Sequence, residues 1–245
     1  MDYSSLIAFD FDHTICEDNS DMVARKLVPE EKIPEDVRSL YQSNGWLVYM
    51  NKIFEILHKN SIDRKQIKNA IIAIPAVAGM EKLLATLHAN GHEIIIISDS
   101  NSLFIDWWLK SRKLDRAVLR VFTNPAYFDN DGRLKVDMYH MQRTCNLSSI
   151  NLCKGKILMD FIEERRAQNV YYDRIVYIGD GKNDLCPILR LSETDLACPR
   201  KDYVLIKRLT KLPRNMYPAA TIVAWKDGED LLQSLEEAQR AVKKE

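Results

Sequence analysis

Asp10-Phe11-Asp12 places two carboxylates two positions apart, directly after the short apolar run Leu6-Ile7-Ala8-Phe9. On an extended backbone, residues i and i+2 point the same way, so both face one site. Carboxylates held together repel unless a cation neutralises them or one takes a proton, and either state suits catalysis. A second acidic group, Gly179-Asp180-Gly181-Lys182-Asn183-Asp184, follows the run Ile175-Val176-Tyr177-Ile178. Its glycines permit a tight turn and close backbone approach. Hard oxygen ligands at this density suit Mg²⁺, which takes one or two carboxylates, water and phosphate oxygens. Ser98 ends the apolar run 93–97; a hydroxyl followed by free backbone N–H groups at a helix start is a phosphate cradle. Lys154 stands at another helix start. Singly, each has a plain structural reading as a turn, a helix cap or a surface lysine. Together they run carboxylate pair, hydroxyl, lysine, carboxylate loop, each at a strand end or helix start. That order specifies phosphoryl transfer to an aspartate, a reaction governed by positioning and charge neutralisation.

The elements that must position these groups follow from the apolar pattern. Short apolar runs alternate with helix-period stretches, the pattern of an α/β fold with a parallel sheet. Strands are expected at 6–9, 93–97, 117–122, 175–178, 194–197 and 221–224, and polar residues follow most of their carboxyl ends. Open α/β sheets bind ligands at that edge. Helices are expected at 46–58, from Asp63 as N-cap, at 80–89 before Asn90-Gly91, at 154–168 and at 230–242. Asp129-Asn130-Asp131-Gly132 reads as a hairpin tip. The distance from the first strand to the second far exceeds the ~30 residues of a βαβ unit. The surplus predicts a small helical cap, 16–75, inserted after the first strand. The core is then 1–15 and 76–245, with the sheet resuming near Ala76.

The 245 residues carry 35 Lys plus Arg and 35 Asp plus Glu, a net charge of zero, which argues against a nucleic-acid or other polyanion partner. No apolar run is long enough to span a bilayer, and the N-terminus lacks a signal-peptide pattern. Five scattered cysteines without such a signal indicate a reduced, cytoplasmic protein. Nothing in the sequence specifies an oligomeric state.

Asp10-Phe11-Asp12-His13-Thr14-Ile15 with Asp18-Asn19-Ser20-Asp21, Ser98-Asp99-Ser100-Asn101-Ser102, Lys154 and Val176-Tyr177-Ile178-Gly179-Asp180-Gly181 resemble the haloacid-dehalogenase-like phosphatases. The likeness covers essentially the whole chain. It falls in the branch acting on phosphoethanolamine, phosphocholine and pyridoxal 5′-phosphate, closer to the pyridoxal phosphate side. The resemblance implies a Rossmann-like three-layer core and a Mg²⁺-dependent phosphomonoesterase acting on a small phosphorylated metabolite. It implies Asp10 as the nucleophile and Asp12 as general acid and base. Mg²⁺ would be held by Asp10, the Asp12 carbonyl and Asp180, with Asp184 orienting its waters. Ser98 and Lys154 would hold the transferring phosphoryl group, and Asp21 and Asp99 would contact the leaving group. Two carboxylates there would favour a cationic or donor-rich substrate; alternatively both simply cap helices. A non-hydrolytic phosphoacceptor module, the rival class, lacks the second acid at Asp12 and leaves the cap unexplained.

The sequence departs from the branch near Lys154. Relatives often carry Cys-x-x-Cys-Pro and a further Cys there; here Ser148 replaces the second Cys. His140, Cys145 and Cys153 are an incomplete soft-metal set, so burial is the expectation for these cysteines. His13 reads as a loop residue. Trp46 and Tyr49 either stack on a ligand or form cap core, and one of Trp107 and Trp108 is expected to pack inward.

Overall fold

The computed structural model describes residues 5–41 and 45–242. β1 (Ser5–Phe9) is followed by α1 (Ser20–Arg25), α2 (Glu35–Arg38), α3 (Trp46–Lys59), α4 (Arg64–Ile72) and α5 (Met80–Ala89). Then come β2 (Glu93–Asn101), α6 (Ser102–Ser111), β3 (Arg120–Asn124) and the antiparallel pair β4 (Ala126–Phe128) and β5 (Leu134–Val136). The chain closes with α7 (Lys154–Ala167), β6 (Arg174–Gly179), α8 (Leu185–Ile188), β7 (Leu196–Pro199), α9 (Val204–Leu209), β8 (Thr221–Ile222) and α10 (Gly228–Val242).

Six strands form one parallel sheet in the order β3-β2-β1-β6-β7-β8. Strand residues alternate between its two faces, as a period of two demands. Ile7, Phe9, Ile94, Ile96, Val176 and Ile178 join one buried cluster, with residues of α3 to α6 and α10. Leu6, Ala8, Ile95, Ile97, Tyr177 and Ala197 join the other, with α7, α8 and α9. Both faces are therefore covered, and the strands read as near-continuous apolar runs for that reason. The chain adds strands to one side of β1, then to the other. β1 and β6, paired Phe9 to Ile178, thus flank the point where strand order reverses, the place where such sheets bind ligands.

Residues 16–75 carry only helices as regular structure. Cys16 and Ala76 meet in an isolated antiparallel bridge, so the sheet itself does not resume near Ala76; β2 is its next strand. Asp63 forms the expected N-cap, accepting from the Gln66 amide at 2.8 Å while the Gln66 side chain accepts from the Asp63 amide at 3.0 Å. Gly132 closes the β4–β5 turn at φ 78°, and the hairpin is tied to α3 by Asn51, which bonds both backbone groups of Val136.

Two further expectations shift. The third strand begins at Arg120 rather than at 117, since pairing with β2 starts only where the Leu119 amide donates to the Ile94 carbonyl at 2.7 Å. Trp107 and Trp108 are both buried, not one of them. Trp108 packs edge-on against Phe11 and donates to the Ile74 carbonyl at 3.0 Å. Trp107 stacks on Phe128 of the hairpin, with Arg64 of α4 over its ring. The second surface that buries it comes from distant segments, which helical periodicity cannot register.

Candidate active site

β1 delivers Asp10 and β6 delivers Asp180 at adjacent carboxyl ends. Asp10 Oδ2 lies 2.8 Å from Lys154 Nζ, and its Oδ1 accepts from the Phe11 amide at 2.6 Å. Lys154, the first residue of α7, is fully buried and also pairs with Asp184 Oδ1 at 2.7 Å. A buried lysine is tolerated only when paired, so its ordinary reading as a surface cation is excluded. Its two carboxylates hold its pKa well above the ordinary lysine value, against burial, which lowers it.

Asp184 is the most heavily bonded member. Besides Lys154, it accepts from the Tyr177 hydroxyl at 2.8 Å and from the amides of Asp180 (3.1 Å) and Gly181 (2.8 Å). Those four bonds fill the acceptor capacity of one carboxylate. Its oxygens orient Lys154 and the loop that carries Asp180. Asp180 itself accepts from the Thr14 hydroxyl at 3.2 Å. Asp10, Asp180 and Asp184 are all buried and offer oxygens within 4.8 Å of one another. Such an all-oxygen, multiply anionic set fits a hard divalent cation.

Asp12 is held by Ser20. Its Oδ1 accepts from the Ser20 amide at 3.0 Å and its Oδ2 from the Ser20 hydroxyl at 3.2 Å. Ser20 in turn meets Ser100 Oγ at 2.7 Å. Burial, reinforced by nearby Asp21, pushes Asp12 up to about 8. Asp10 is pushed up by burial and by Asp184 and Asp180, against the pull of Lys154. The chain turns just after Phe11, whose carbonyl accepts from the amides of Thr14, Ile15 and Cys16. The shared electrostatic neighbour of Asp10 and Asp12 is Asp99, which also raises Asp21.

Ser98 is fully buried but stands within β2, not at a helix start. β2 continues to Asn101 through a register shift, and α6 is capped by Asn101 Oδ1, which accepts from Phe104 N at 3.1 Å. The Ser98 hydroxyl accepts from the Ser100 amide at 3.2 Å, which leaves its own proton free to donate. Asp99 Oδ2 accepts from Asn183 at 2.9 Å, linking the ends of β2 and β6. Asp21 is buried at the start of α1, where Asn19 and not Asp21 is the cap. It accepts from Trp46 Nε1 at 2.8 Å and is raised by burial to about 7. Trp46 also packs with Tyr41 and Tyr49, so it serves both the aromatic cluster and Asp21. Among the described residues, buried Asn101 Nδ2 has no partner at full hydrogen-bond geometry, and the Asn101 side chain is near enough to Asp21 to favour its charged form.

Sequence reasoning gave no role to Thr14, Ser20, Asn183 or Tyr177, although all lie in or beside the quoted motifs. It missed Arg200 outright. Arg200 follows β7, donates to the His13 carbonyl at 2.6 Å and pairs with Glu17 at 2.9 Å. It thereby holds the loop after Asp12, where His13 sits at φ 56°. Its place after a strand's carboxyl end was the available signal.

Fold and site together are those of a haloacid-dehalogenase-like phosphatase, a phosphoric monoester hydrolase. The chain belongs to the family described as "Putative Phosphatase", whose model matches residues 5–239. It is 40% identical over 234 residues to the pyridoxal phosphate phosphatase of Mus musculus, covering 94% of this chain and 97% of that one. It is 31% identical over 237 residues to the phosphoethanolamine/phosphocholine phosphatase of Homo sapiens, covering 95% and 88%. A phosphoserine phosphatase solved as a phospho-aspartyl intermediate analogue superposes with a TM-score of 0.60 at 18% identity, covering 95% of this chain and 99% of that one. Among the described residues, no helix is long and apolar enough to cross a membrane.

Proposed function

We propose that the protein hydrolyses pyridoxal 5′-phosphate, through an aspartyl-phosphate formed on Asp10. The observation that carries the chemistry is the buried Asp10–Lys154–Asp184 chain of ion pairs, 2.8 and 2.7 Å long, at the switch point of the sheet. In the first step Asp10 forms a bond to phosphorus, the bond to the leaving oxygen breaks, and Asp12 gives that oxygen its proton. In the second step Asp12 takes a proton from water, the water oxygen bonds phosphorus, and Asp10 is released with inorganic phosphate. A carboxyl group pushed up to about 8 is protonated when the first step needs an acid. The hydroxyl of Ser98 and the ammonium of Lys154 hold the phosphoryl oxygens and offset their charge.

Asp10, the Asp12 carbonyl and Asp180 would hold Mg²⁺, and the chemistry it supplies is neutralisation of carboxylate and phosphate charge. Asp184 fixes Lys154 and the Asp180 loop. Residues 16–75 form the cap unit over the core of 1–15 and 76–245. From it, Asp21 comes near enough to feel the charge of Asp99 of the core, and the two would face the leaving group. Five cysteines without a disulfide support a reducing, cytoplasmic setting.

Identity favours pyridoxal 5′-phosphate, 40% against 31%. The acidic pair Asp21 and Asp99 keeps phosphoethanolamine and phosphocholine as the second reading, through their cationic heads. Measuring kcat/KM for the three phosphates with purified protein decides between them, and the leading reading expects pyridoxal 5′-phosphate to be highest. Asp10→Asn should abolish turnover with the fold retained by circular dichroism; near-normal turnover in that variant rules the mechanism out.

A further inference from the structure

A second ligand cluster lies outside the carboxylate pocket. Cys145, Cys153 and Cys186 present sulfurs within 4.8 Å of one another. Cys145 and Cys153 lie in the loop before α7, whereas Cys186 comes from α8. The Sγ atoms of Cys145 and Cys186 are 3.3 Å apart, and those of Cys153 and Cys186 are 3.8 Å apart. Ser148 Oγ sits against this group, 3.4 Å from Cys145 Sγ and 3.3 Å from Cys153 Sγ. His140 is not a fourth member through Nε2, which accepts from the Cys153 amide at 3.0 Å.

These distances lie near the edges of a metal tetrahedron. With Zn–S about 2.3 Å and Zn–O about 2.0 Å, sulfurs stand about 3.8 Å apart and the oxygen about 3.5 Å from each sulfur. The Cys153–Cys186 edge already matches and both Ser148 edges fall within about 0.2 Å, while the Cys145–Cys186 edge must open by about 0.5 Å. We infer that Cys145, Cys153, Cys186 and Ser148 form a closed structural Zn²⁺ site, separate from the oxygen-lined carboxylate site.

Thiolates select a soft ion where carboxylates select a hard one. Three thiolates on Zn²⁺ leave one negative charge, and the Arg190 guanidinium stands beside Cys186 over Gly155. A Cβ on Gly155 would meet Arg190 Nε at 2.5 Å and Cys186 Sγ at 2.6 Å, so glycine is needed for α7 to approach the cluster. The loop 137–153 carries no regular element beyond an isolated Ser149–Leu152 bridge. The Gln142 side chain organises it, bonding the carbonyls of Cys145 and Ser149 and the amide of Cys145. An ion here clasps that loop to two elements of the active site. Cys153 precedes Lys154 by one residue, and Cys186 follows Asp184 by two.

The test is metal counting on the whole protein, expressed with ZnCl₂ and purified without chelator. About one zinc per chain is expected by plasma mass spectrometry. Asp180→Asn should retain it, and Cys186→Ala should lose it. Loading Co²⁺ in place of zinc should give thiolate-to-cobalt charge-transfer absorption in the wild type and in Asp180→Asn. Ser148→Cys adds a fourth sulfur, so it should keep the ion and strengthen that absorption, even if Cys186→Ala fails to fold. The inference is overturned if the wild type takes up no zinc from ZnCl₂. It is also overturned if zinc leaves with Asp180→Asn, or if the freshly purified protein holds a Cys145–Cys186 disulfide in place of metal.

Discussion

Replacing Gly179 by alanine should damage the site from inside the sheet. A Cβ at Gly179, the last residue of β6, would stand 2.5 Å from both Cγ and Oδ2 of Asp184. Ordinary contact begins near 3.4 Å, so Asp184 must retreat by about 0.9 Å. It has little freedom to do so, being fully buried and held by Lys154, Tyr177 and two amides. Overpacking of this kind costs about 1–3 kcal/mol. Losing two hydrogen bonds to a charged acceptor costs about 1.5–3 kcal/mol each. Even the lower ends sum to about 4 kcal/mol. For a chain of this size about 2–4 °C accompanies each kcal/mol, so the melting midpoint should fall by roughly 8–16 °C. Lys154 bonds Asp10 as well as Asp184, so its displacement also misplaces Asp10, the proposed nucleophile. A shift near 1 Å costs on the order of 10²-fold in turnover. Scanning calorimetry and phosphate release measure the two effects. Gly181→Ala is the control, because its Cβ would crowd only the end of the Asn183 side chain, at 2.8 Å, and would meet Asp184 Oδ2 at an ordinary contact distance of 3.5 Å. A Gly179→Ala protein melting within about 2 °C of wild type, or matching Gly181→Ala in both assays, would refute the reasoning.

Chelation by EDTA should stop phosphate release and added Mg²⁺ should restore it; undiminished turnover in EDTA would remove the cation from the carboxylate cluster. Asp21, raised to about 7, carries its charge above that pH and loses it below. KM for a cationic phosphate ester should therefore rise as pH falls through 7. Trp46→Phe removes the donor that favours the charged form and should raise that KM roughly tenfold at neutral pH; a KM unchanged by pH and by the substitution would place Asp21 outside the substrate's reach. His92 is buried, and its Nδ1 accepts from the Ser5 amide at 3.4 Å. Burial lowers its pKa below the ordinary 6.5, so the unfolded chain binds its proton more readily. Stability from this residue is full above about 6.5 and declines as pH falls through that value. Denaturant unfolding should show a shallower decline for His92→Gln, and identical pH slopes would reject the assignment.

Much of the frame was legible because this sheet is covered on both faces. Its strands are apolar runs that stop at Asp10, Asp180 and Thr123, and strand ends could be read as site positions. The capping box at Asp63 and the Gly132 turn were legible for local reasons, since each is decided within four residues. Less visible was anything decided by distant contacts. β2 runs on through Ser98 to Asn101 although the residues are polar, because Ser20, Asn124 and Asn183 supply partners there. The polar groups are satisfied by other segments, and single-sequence periodicity carries no trace of that. Cys186 shows the same limit. Nothing near it marks a partnership with Cys145, 41 positions earlier, so the set looked incomplete.

The position of β1 has a consequence for synthesis. This strand is paired on one side by β2, from Glu93, and on the other by β6, from Arg174. Until β6 has left the ribosome, the middle strand of the sheet has an open edge, which is a template for wrong pairing. Asp10 likewise waits for Lys154 and Asp184 to complete its ion pairs. A growing chain that ends before residue 184 therefore has Asp10 but not the carboxylate that positions its lysine. Contacts this far apart in sequence slow folding, so that edge stays open for longer. The ion-pair chain from Asp10 to Asp184 can therefore close only after both outer thirds of the sheet's sequence have been made.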